Sequence, residues 1–104
     1  MNHDDARQKL DEFRVMIDDV DRRIVELLNE RTRVVEEIGR VKRSARLPIY
    51  EPKREDQVFE NVTGHNGGPL TPEAVKRIFE RIIDEMRTIQ RIRMETSQDG
   101  DSAC

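Results

Sequence analysis

Three cationic side chains lie on the apolar face of a predicted helix. Arg31 occupies the one gap in a stripe of apolar residues, and Arg14 and Lys42 lie at the border of the same face. A charge withdrawn from water without a counter-charge costs several kcal/mol, so these groups need either carboxylates of the protein or an anionic ligand. Glu51 and Glu55 on the next predicted helix are the candidate internal partners. The pattern alone favours a structural ion pair and an anion-binding site about equally.

An uncharged hydrogen-bond donor lies on the apolar face of the third predicted helix. Gln90 continues the stripe formed by Phe79, Ile83 and Met86. Its amide brings N–H donors to the same interior as the cations. Alone, a glutamine in such a stripe usually makes a hydrogen bond between helices. Together with the cations, it slightly favours a ligand-binding site.

One long helix must position Arg14, Arg31 and Lys42. Residues 6–38 contain neither Gly nor Pro, and apolar residues recur there in steps of three and four, as in a heptad pattern. The pattern predicts a helix from Ala6 to about Arg43, which Pro48 brings to an end. Gly39 lies inside this helix and is expected to permit close packing. The stripe consists of Leu10, Phe13, Ile17, Val20, Ile24, Leu27, Val34, Ile38 and Val41.

Two further helices and a tail complete the predicted fold. Pro52, at a first-turn position, opens a short second helix that carries Val58, Phe59 and Val62. A connector rich in Gly follows at residues 64–69, and Thr71 caps a third helix of medium length. Residues 96–104 have no stripe and are rich in Ser, Asp and Gly. We therefore predict an all-α domain at residues 1–95 and a disordered polar tail at residues 96–104.

The length of the first helix predicts a homodimer. About 38 residues span roughly 55 Å, whereas a globule of this mass is only about 30 Å across. The second and third helices can cover little more than one end of the stripe, so a second copy is needed to cover the rest. Arg14 and Arg31 lie about 25 Å apart along one helix. Antiparallel pairing of two long helices would bring Arg14 of one subunit towards Arg31 and Lys42 of the other.

Composition excludes several classes of function. Charged residues form 39% of the chain and apolar residues 35%, and the net charge is -3 with both signs interspersed, which argues against a nucleic-acid partner. No apolar run approaches the length of a membrane span, and residues 1–7 lack the apolar core of a signal peptide, so a cytoplasmic protein is expected. Cys104, His3 and His65 form no metal-ligand pattern, and no metal site is predicted.

The polar positions resemble those of a known enzyme family, the all-helical AroQ class of chorismate mutases. The resemblance covers roughly residues 10–93, and its six main polar positions occur in order on three separate helices. The residues that carry it are Arg14, Asp21, the pair Glu30–Arg31, the segment 34–42 with Gly39 and Lys42, Pro48, the run 51–55 and Gln90.

The resemblance implies an intertwined, domain-swapped homodimer that isomerises chorismate to prephenate in phenylalanine and tyrosine biosynthesis. It implies a Claisen rearrangement without a cofactor, in active sites built mainly from one subunit. Arg31 and the partner's Arg14 would bind the two substrate carboxylates. Lys42 and Gln90 would donate hydrogen bonds to the ether oxygen of the breaking bond. Glu55 would accept a hydrogen bond from the ring hydroxyl, and Arg54 would border the pocket.

Two positions depart from the best-known pattern of that family. Glu51 stands where an Asp is frequent, and Met86 stands where a small hydroxyl residue can approach a carboxylate. Two other functions remain open: an isochorismate pyruvate lyase of the same architecture, and a non-catalytic dimerisation module in which Arg31 and Lys42 only pair with acids. Association with another enzyme of the shikimate pathway is a further prediction.

Overall fold

The chain folds into three α-helices. The structure, a computed structural model, describes the backbone of residues 1–103 and the side chains of residues 1–95. Helix α1 spans His3–Ala45, α2 spans Pro52–Gly64 and α3 spans Pro72–Ala103, with no strand in the described backbone. The predicted all-α class, with one long, one short and one medium helix, is confirmed. Within the described residues, none of the helices is long and apolar enough to cross a membrane.

Helix α1 begins three residues earlier than predicted. Asn2 caps it: its side-chain Oδ1 accepts a hydrogen bond from the backbone N–H of Asp5 at 2.8 Å. Asp4 and Asp5 place negative charge in the first turn, where the helix dipole favours it. The hydrophobic pattern did not predict this start, because the first turn is polar and has no apolar face. The cap and the helix dipole stabilise that turn instead.

Helix α1 ends in a left-handed turn just before Pro48. Arg46 has a positive φ of 56°, and the backbone N–H of Leu47 donates to the carbonyl of Lys42 at 2.7 Å. Such a turn satisfies carbonyls that the last helical turn leaves without partners. It also redirects the chain so that Ile49 and Glu51 lie next to Lys42 in the last turns of α1.

The predicted starts of α2 and α3 are confirmed. Pro52 occupies the first turn of α2, where its missing N–H removes no helical hydrogen bond. Thr71 caps α3, because its Oγ1 accepts a hydrogen bond from the backbone N–H of Ala74 at 3.1 Å. Helix α3 continues to Ala103, so the backbone of residues 96–103 is helical where the sequence predicted a disordered polar tail. The predicted domain boundary at residue 95 stays a prediction.

The chain divides into two compact units, Met1–Val34 and Val35–Cys104. The first unit is the N-terminal part of α1, and its apolar stripe is exposed. Phe13 is 59% exposed, Ile17 56% and Leu27 63%. A single amphipathic helix has no second surface within its own unit on which to bury such a stripe.

The second unit contains the C-terminal part of α1, together with α2 and α3. Its buried side chains are Val35, Val75, Ile83, Met86 and Gln90. Gly39 is also buried, and a Cβ atom built there would lie 3.7 Å from Cγ of Gln90, an ordinary van der Waals distance. The predicted close approach at Gly39 is therefore moderate. The unit brings α1, Gly39 and Gln90 into one small core.

Candidate active site

Lys42 is held by the segment that follows α1. Its Nζ lies 2.9 Å from Oε1 of Glu51 and donates a hydrogen bond to the carbonyl of Ile49 at 3.1 Å. The Lys42 side chain is 13% exposed, whereas that of Glu51 is 48% exposed. For Lys42, the internal ion pair that the sequence left open is therefore present. An ammonium has three N–H donors, and within the part of the chain with described side chains these contacts occupy two of them.

Gln90 is buried where α3 meets α1. The side chain is 7% exposed, and its Nε2 donates to the backbone carbonyl of Val35 at 3.4 Å. This distance exceeds the usual 2.7–3.2 Å of an N–H···O bond, so the contact is weak. The hydrogen bond between helices, which was the structural alternative for Gln90, is present, yet it engages only one N–H of the amide. The second N–H has no partner among the described side chains and backbone groups.

Glu55 forms an ion pair that the sequence pattern did not predict. Its Oε2 lies 3.5 Å from Nε of Arg87 on α3, and the Glu55 side chain is 22% exposed. The guanidinium of Arg87 also lies over the ring of Tyr50, 5.4 Å from the ring centroid. Arg87 follows Met86 and precedes Gln90 by three residues, so it borders the predicted stripe of α3. A search for cations next to that stripe would have found it.

Two other predicted site residues differ in exposure. Met86 is buried, at 8% exposure, in the core of the second unit. Arg54 is exposed on α2, where its Nη1 donates to Oε1 of Gln57 at 3.4 Å. Burial makes Met86 a part of the apolar core, while Arg54 retains a guanidinium in water. Their predicted substrate contacts stay predictions.

The two predicted carboxylate clamps lie in the first unit. Arg14 is exposed, and its Nη1 lies 3.5 Å from Oδ1 of Asp11, one turn earlier in the same helix. Exposed pairs of this kind contribute little to stability, so the pair does not hold Arg14 strongly. Arg31 is half-buried and takes part in interactions within the structure. The roles of both arginines in binding a substrate stay predictions.

A cationic groove lies beside Gly39, on the side of α1 that faces away from Lys42. In a helix with 3.6 residues per turn, Glu36, Arg40 and Arg43 project to one side of Gly39 and Lys42 projects to the other. The groove has a volume of about 360 Å³. Within it, Nη2 of Arg93 lies 3.1 Å from Oε2 of Glu36. Of the predicted site residues, only Gln90 lines it, so it is separate from the Lys42 side. Its lining consists of Glu36, Gly39, Arg40, Arg43, Ser44, Gln90, Arg93 and Met94.

These features define an all-helical protein in which one unit holds a largely buried ammonium, a buried amide and an acid paired with arginine. Residues 13–91 match the family described as chorismate mutase type II. A chorismate mutase (form II) from Thermus thermophilus superposes with a TM-score of 0.78 and 35% identity, over 80% of this chain and 94% of that chain.

Two relatives in sequence agree with that match. A bifunctional chorismate mutase/prephenate dehydratase of Aquifex aeolicus is 36% identical over 88 residues, which cover 81% of this chain and 24% of that protein. The chain thus spans about a quarter of the length of such bifunctional relatives. A chorismate mutase of Methanocaldococcus jannaschii is 26% identical over 95 residues, which cover 88% of this chain and 93% of that protein.

The chain belongs to the type II chorismate mutase family. The resemblance to the all-helical AroQ class is thereby confirmed. The matched residues 13–91 include every predicted site residue, from Arg14 to Gln90.

Proposed function

We propose that this protein isomerises chorismate to prephenate in phenylalanine and tyrosine biosynthesis. The observation that carries the proposal is Lys42. Its ammonium is largely withdrawn from water and oriented by Glu51 and the carbonyl of Ile49. Among residues 1–95, whose side chains are described, these contacts leave one N–H donor for a ligand. Gln90, in the same unit, supplies a buried amide with a second N–H. The family match supports the choice of substrate.

The reaction requires donors at one oxygen. In the rearrangement the ether C–O bond breaks ahead of C–C bond formation, and negative charge grows on the enolpyruvyl oxygen. An ammonium and an amide N–H fixed beside that oxygen stabilise the transition state more than the ground state, and this difference accelerates the reaction. Lys42 and Gln90 take this role, and Glu55 accepts a hydrogen bond from the ring hydroxyl. No nucleophile, general base or cofactor takes part in such a rearrangement.

The proposed active site is shared between two subunits of an intertwined homodimer. The exposed stripe of the first unit supports this assembly, because an apolar helix face of that size requires a partner surface. Arg31 and the partner's Arg14 bind the two carboxylates and select the compact conformer of the substrate. Arg54, Glu51 and Met86 border the same site. Clamping a reactive conformer lowers the entropic part of the barrier.

Mixing inactive variants tests whether the site is shared. Arg14→Ala and Arg31→Ala are each expected to be inactive as homodimers, because each lacks one carboxylate clamp. In a heterodimer one of the two sites carries both substitutions and the other carries neither, so activity should return to about half of the wild-type value per dimer. Verified heterodimers without any recovered activity would contradict the shared site. Native mass spectrometry of the mixture provides the control for subunit exchange.

Direct assay tests the reaction itself. The purified protein is incubated with chorismate and with isochorismate, and prephenate, salicylate and pyruvate are measured alongside the oligomer mass. Prephenate from chorismate supports the proposal, whereas salicylate and pyruvate from isochorismate would identify the lyase instead. The absence of turnover with either substrate would refute both enzymatic functions.

A non-catalytic dimerisation module is the second candidate, because Lys42 and Glu51 do form an ion pair. The two functions differ in ligand binding. A transition-state analogue of the rearrangement, at 100 times its dissociation constant, would stabilise a true binding site by about 2.7 kcal/mol. A melting temperature that stays constant with the analogue would favour the module.

Two properties of the whole protein are also proposals. The bifunctional relatives carry a mutase and a prephenate dehydratase in one chain, which supports association of this protein with another enzyme of the shikimate pathway. A cytoplasmic location is the second of these proposals.

A further inference from the structure

Arg87 forms a bridge between α3 and an acid of α2. One side of its guanidinium faces Glu55, with 3.5 Å between Nε and Oε2. Another nitrogen, Nη2, donates to Oδ1 of Asp84 at 2.5 Å, and the ring of Tyr50 lies against the same group. Asp84 and Tyr50 thus hold the guanidinium from two directions. Arg87 is therefore fixed before it meets Glu55.

The Nε atom of Arg87 is buried without a hydrogen-bond partner in the part of the chain with described side chains. The atom faces Oε2 of Glu55, but 3.5 Å exceeds the usual length of such a bond, and the contact is electrostatic only. Contacts within active sites are frequently long without substrate and shorten in the complex. A small movement of the Glu55 carboxylate towards Nε would satisfy this donor.

Glu55 needs such an anchor for the role assigned to it. A glutamate side chain has three rotatable bonds, and a carboxylate that accepts a hydrogen bond from a substrate hydroxyl must keep one oxygen in place. Arg87 engages Oε2, which leaves Oε1 as the acceptor. Because Arg87 lies on α3 and Glu55 on α2, the contact also makes the position of the carboxylate depend on the packing of these two helices.

We propose that Arg87 is a positioning residue that orients the Glu55 carboxylate towards the ring hydroxyl of the substrate. The inference rests on the proposed function. Arg87 acts through Glu55 and does not touch the reacting atoms. Its contribution must therefore disappear when Glu55 can no longer be oriented by a cation. A purely structural tie between α2 and α3 would contribute through stability alone, independent of what Glu55 binds.

A double-mutant cycle on the full chain separates the two roles. Arg87→Met, Glu55→Gln and the double variant are compared by kcat and KM for chorismate and by melting temperature. We expect Arg87→Met to lower kcat/KM about tenfold, mainly through KM, because the hydroxyl contact exists in both ground and transition states. In the Glu55→Gln background the same substitution should change kcat/KM less than about twofold.

Two further variants serve as rescue and control. Arg87→Lys keeps the positive charge but lacks the planar guanidinium. In a chain with Glu55, its KM should lie between those of the wild type and Arg87→Met. In the Glu55→Gln background, Arg87→Lys and Arg87→Met should have the same KM. Arg81→Met removes an exposed arginine of the same helix that pairs with Glu85 at 2.7 Å, and kcat/KM should stay at the wild-type value. If Arg87→Met does not fold, the cycle is carried by Arg87→Lys.

The outcomes separate this inference from the proposed function. If Arg87→Met lowers kcat/KM by the same factor in the wild-type and Glu55→Gln backgrounds, the positioning role is overturned while the mutase activity stands. A change confined to the melting temperature would overturn it as well. A wild-type protein without chorismate turnover would overturn the proposed function and this role with it.

Discussion

Replacing Lys42 by methionine is expected to lower kcat for chorismate by about 100- to 1,000-fold, the range for removal of one donor to a developing oxyanion. Methionine retains an apolar stem of four heavy atoms, like that of lysine, and lacks the ammonium. The charge that grows on the ether oxygen then has no cationic partner, whereas the proposed contacts to the substrate carboxylates and ring hydroxyl remain. The effect should therefore fall on kcat and kcat/KM together, with KM little changed.

The structure predicts that this variant still folds. Glu51 loses its partner, but its side chain is 48% exposed, so water can solvate the carboxylate. Urea unfolding and the oligomer mass, measured with the kinetics, should stay close to those of the wild type. Full turnover by a folded Lys42→Met protein would remove Lys42 from the mechanism.

Glu51→Gln is the matched control for Lys42. The amide keeps a hydrogen-bond acceptor near Nζ, and Lys42 retains the carbonyl of Ile49 at 3.1 Å. We expect kcat to fall only a few-fold, because the ammonium stays in place and merely has one weaker orienting partner. A fall as large as that of Lys42→Met would instead indicate that Glu51 itself contacts the reacting groups.

Replacing Gln90 by leucine is expected to lower kcat by about 100-fold without unfolding the protein. The substitution removes the amide N–H that stabilises the ether oxygen. Its structural cost is small, because the amide makes only a weak hydrogen bond of 3.4 Å to the carbonyl of Val35 and leucine has a similar volume. Steady-state kinetics and urea unfolding together test this prediction. A loss of kcat that is fully explained by a lower free energy of unfolding would contradict a catalytic role.

Gln90→Glu tests the same donor through pH. A carboxylic acid donates a hydrogen bond only when protonated, and burial raises the pKa of the glutamate introduced at this position because it disfavours the charged form. Activity of the variant should rise as the pH falls. The wild-type amide does not titrate, so wild-type activity should not require acidic conditions. Wild-type activity of this variant in alkaline solution, where the carboxyl is ionised, would show that no donor is needed at position 90.

Local signals in the sequence predicted the helices well. Pro52, Thr71 and the turn before Pro48 act on the backbone of their immediate neighbours, so their effect can be foreseen without tertiary contacts. The predicted start of α1 is too late, because its cap at Asn2 precedes the first apolar residue of the stripe. Hydrophobic periodicity identifies a buried face, and a polar first turn has none.

The chemistry of the candidate site was only partly foreseeable. The sequence placed Gln90 in an apolar stripe and Lys42 at the border of an apolar face, and both side chains are largely withdrawn from water in the structure. The contact between Arg87 and Glu55 was missed. It joins residues 32 positions apart on two helices, and no periodicity within either helix specifies which acid meets which cation.

The sequence by itself determined that this chain is helical, that cations and an amide lie on apolar faces, and that the chain resembles the family to which it belongs. Only the tertiary structure decided the partners of those groups. The left-handed turn at Arg46 brings Glu51 to Lys42, and the packing of α2 on α3 brings Glu55 to Arg87. The reason is that helical periodicity is a local property, whereas ion pairing depends on the path of the connectors between helices.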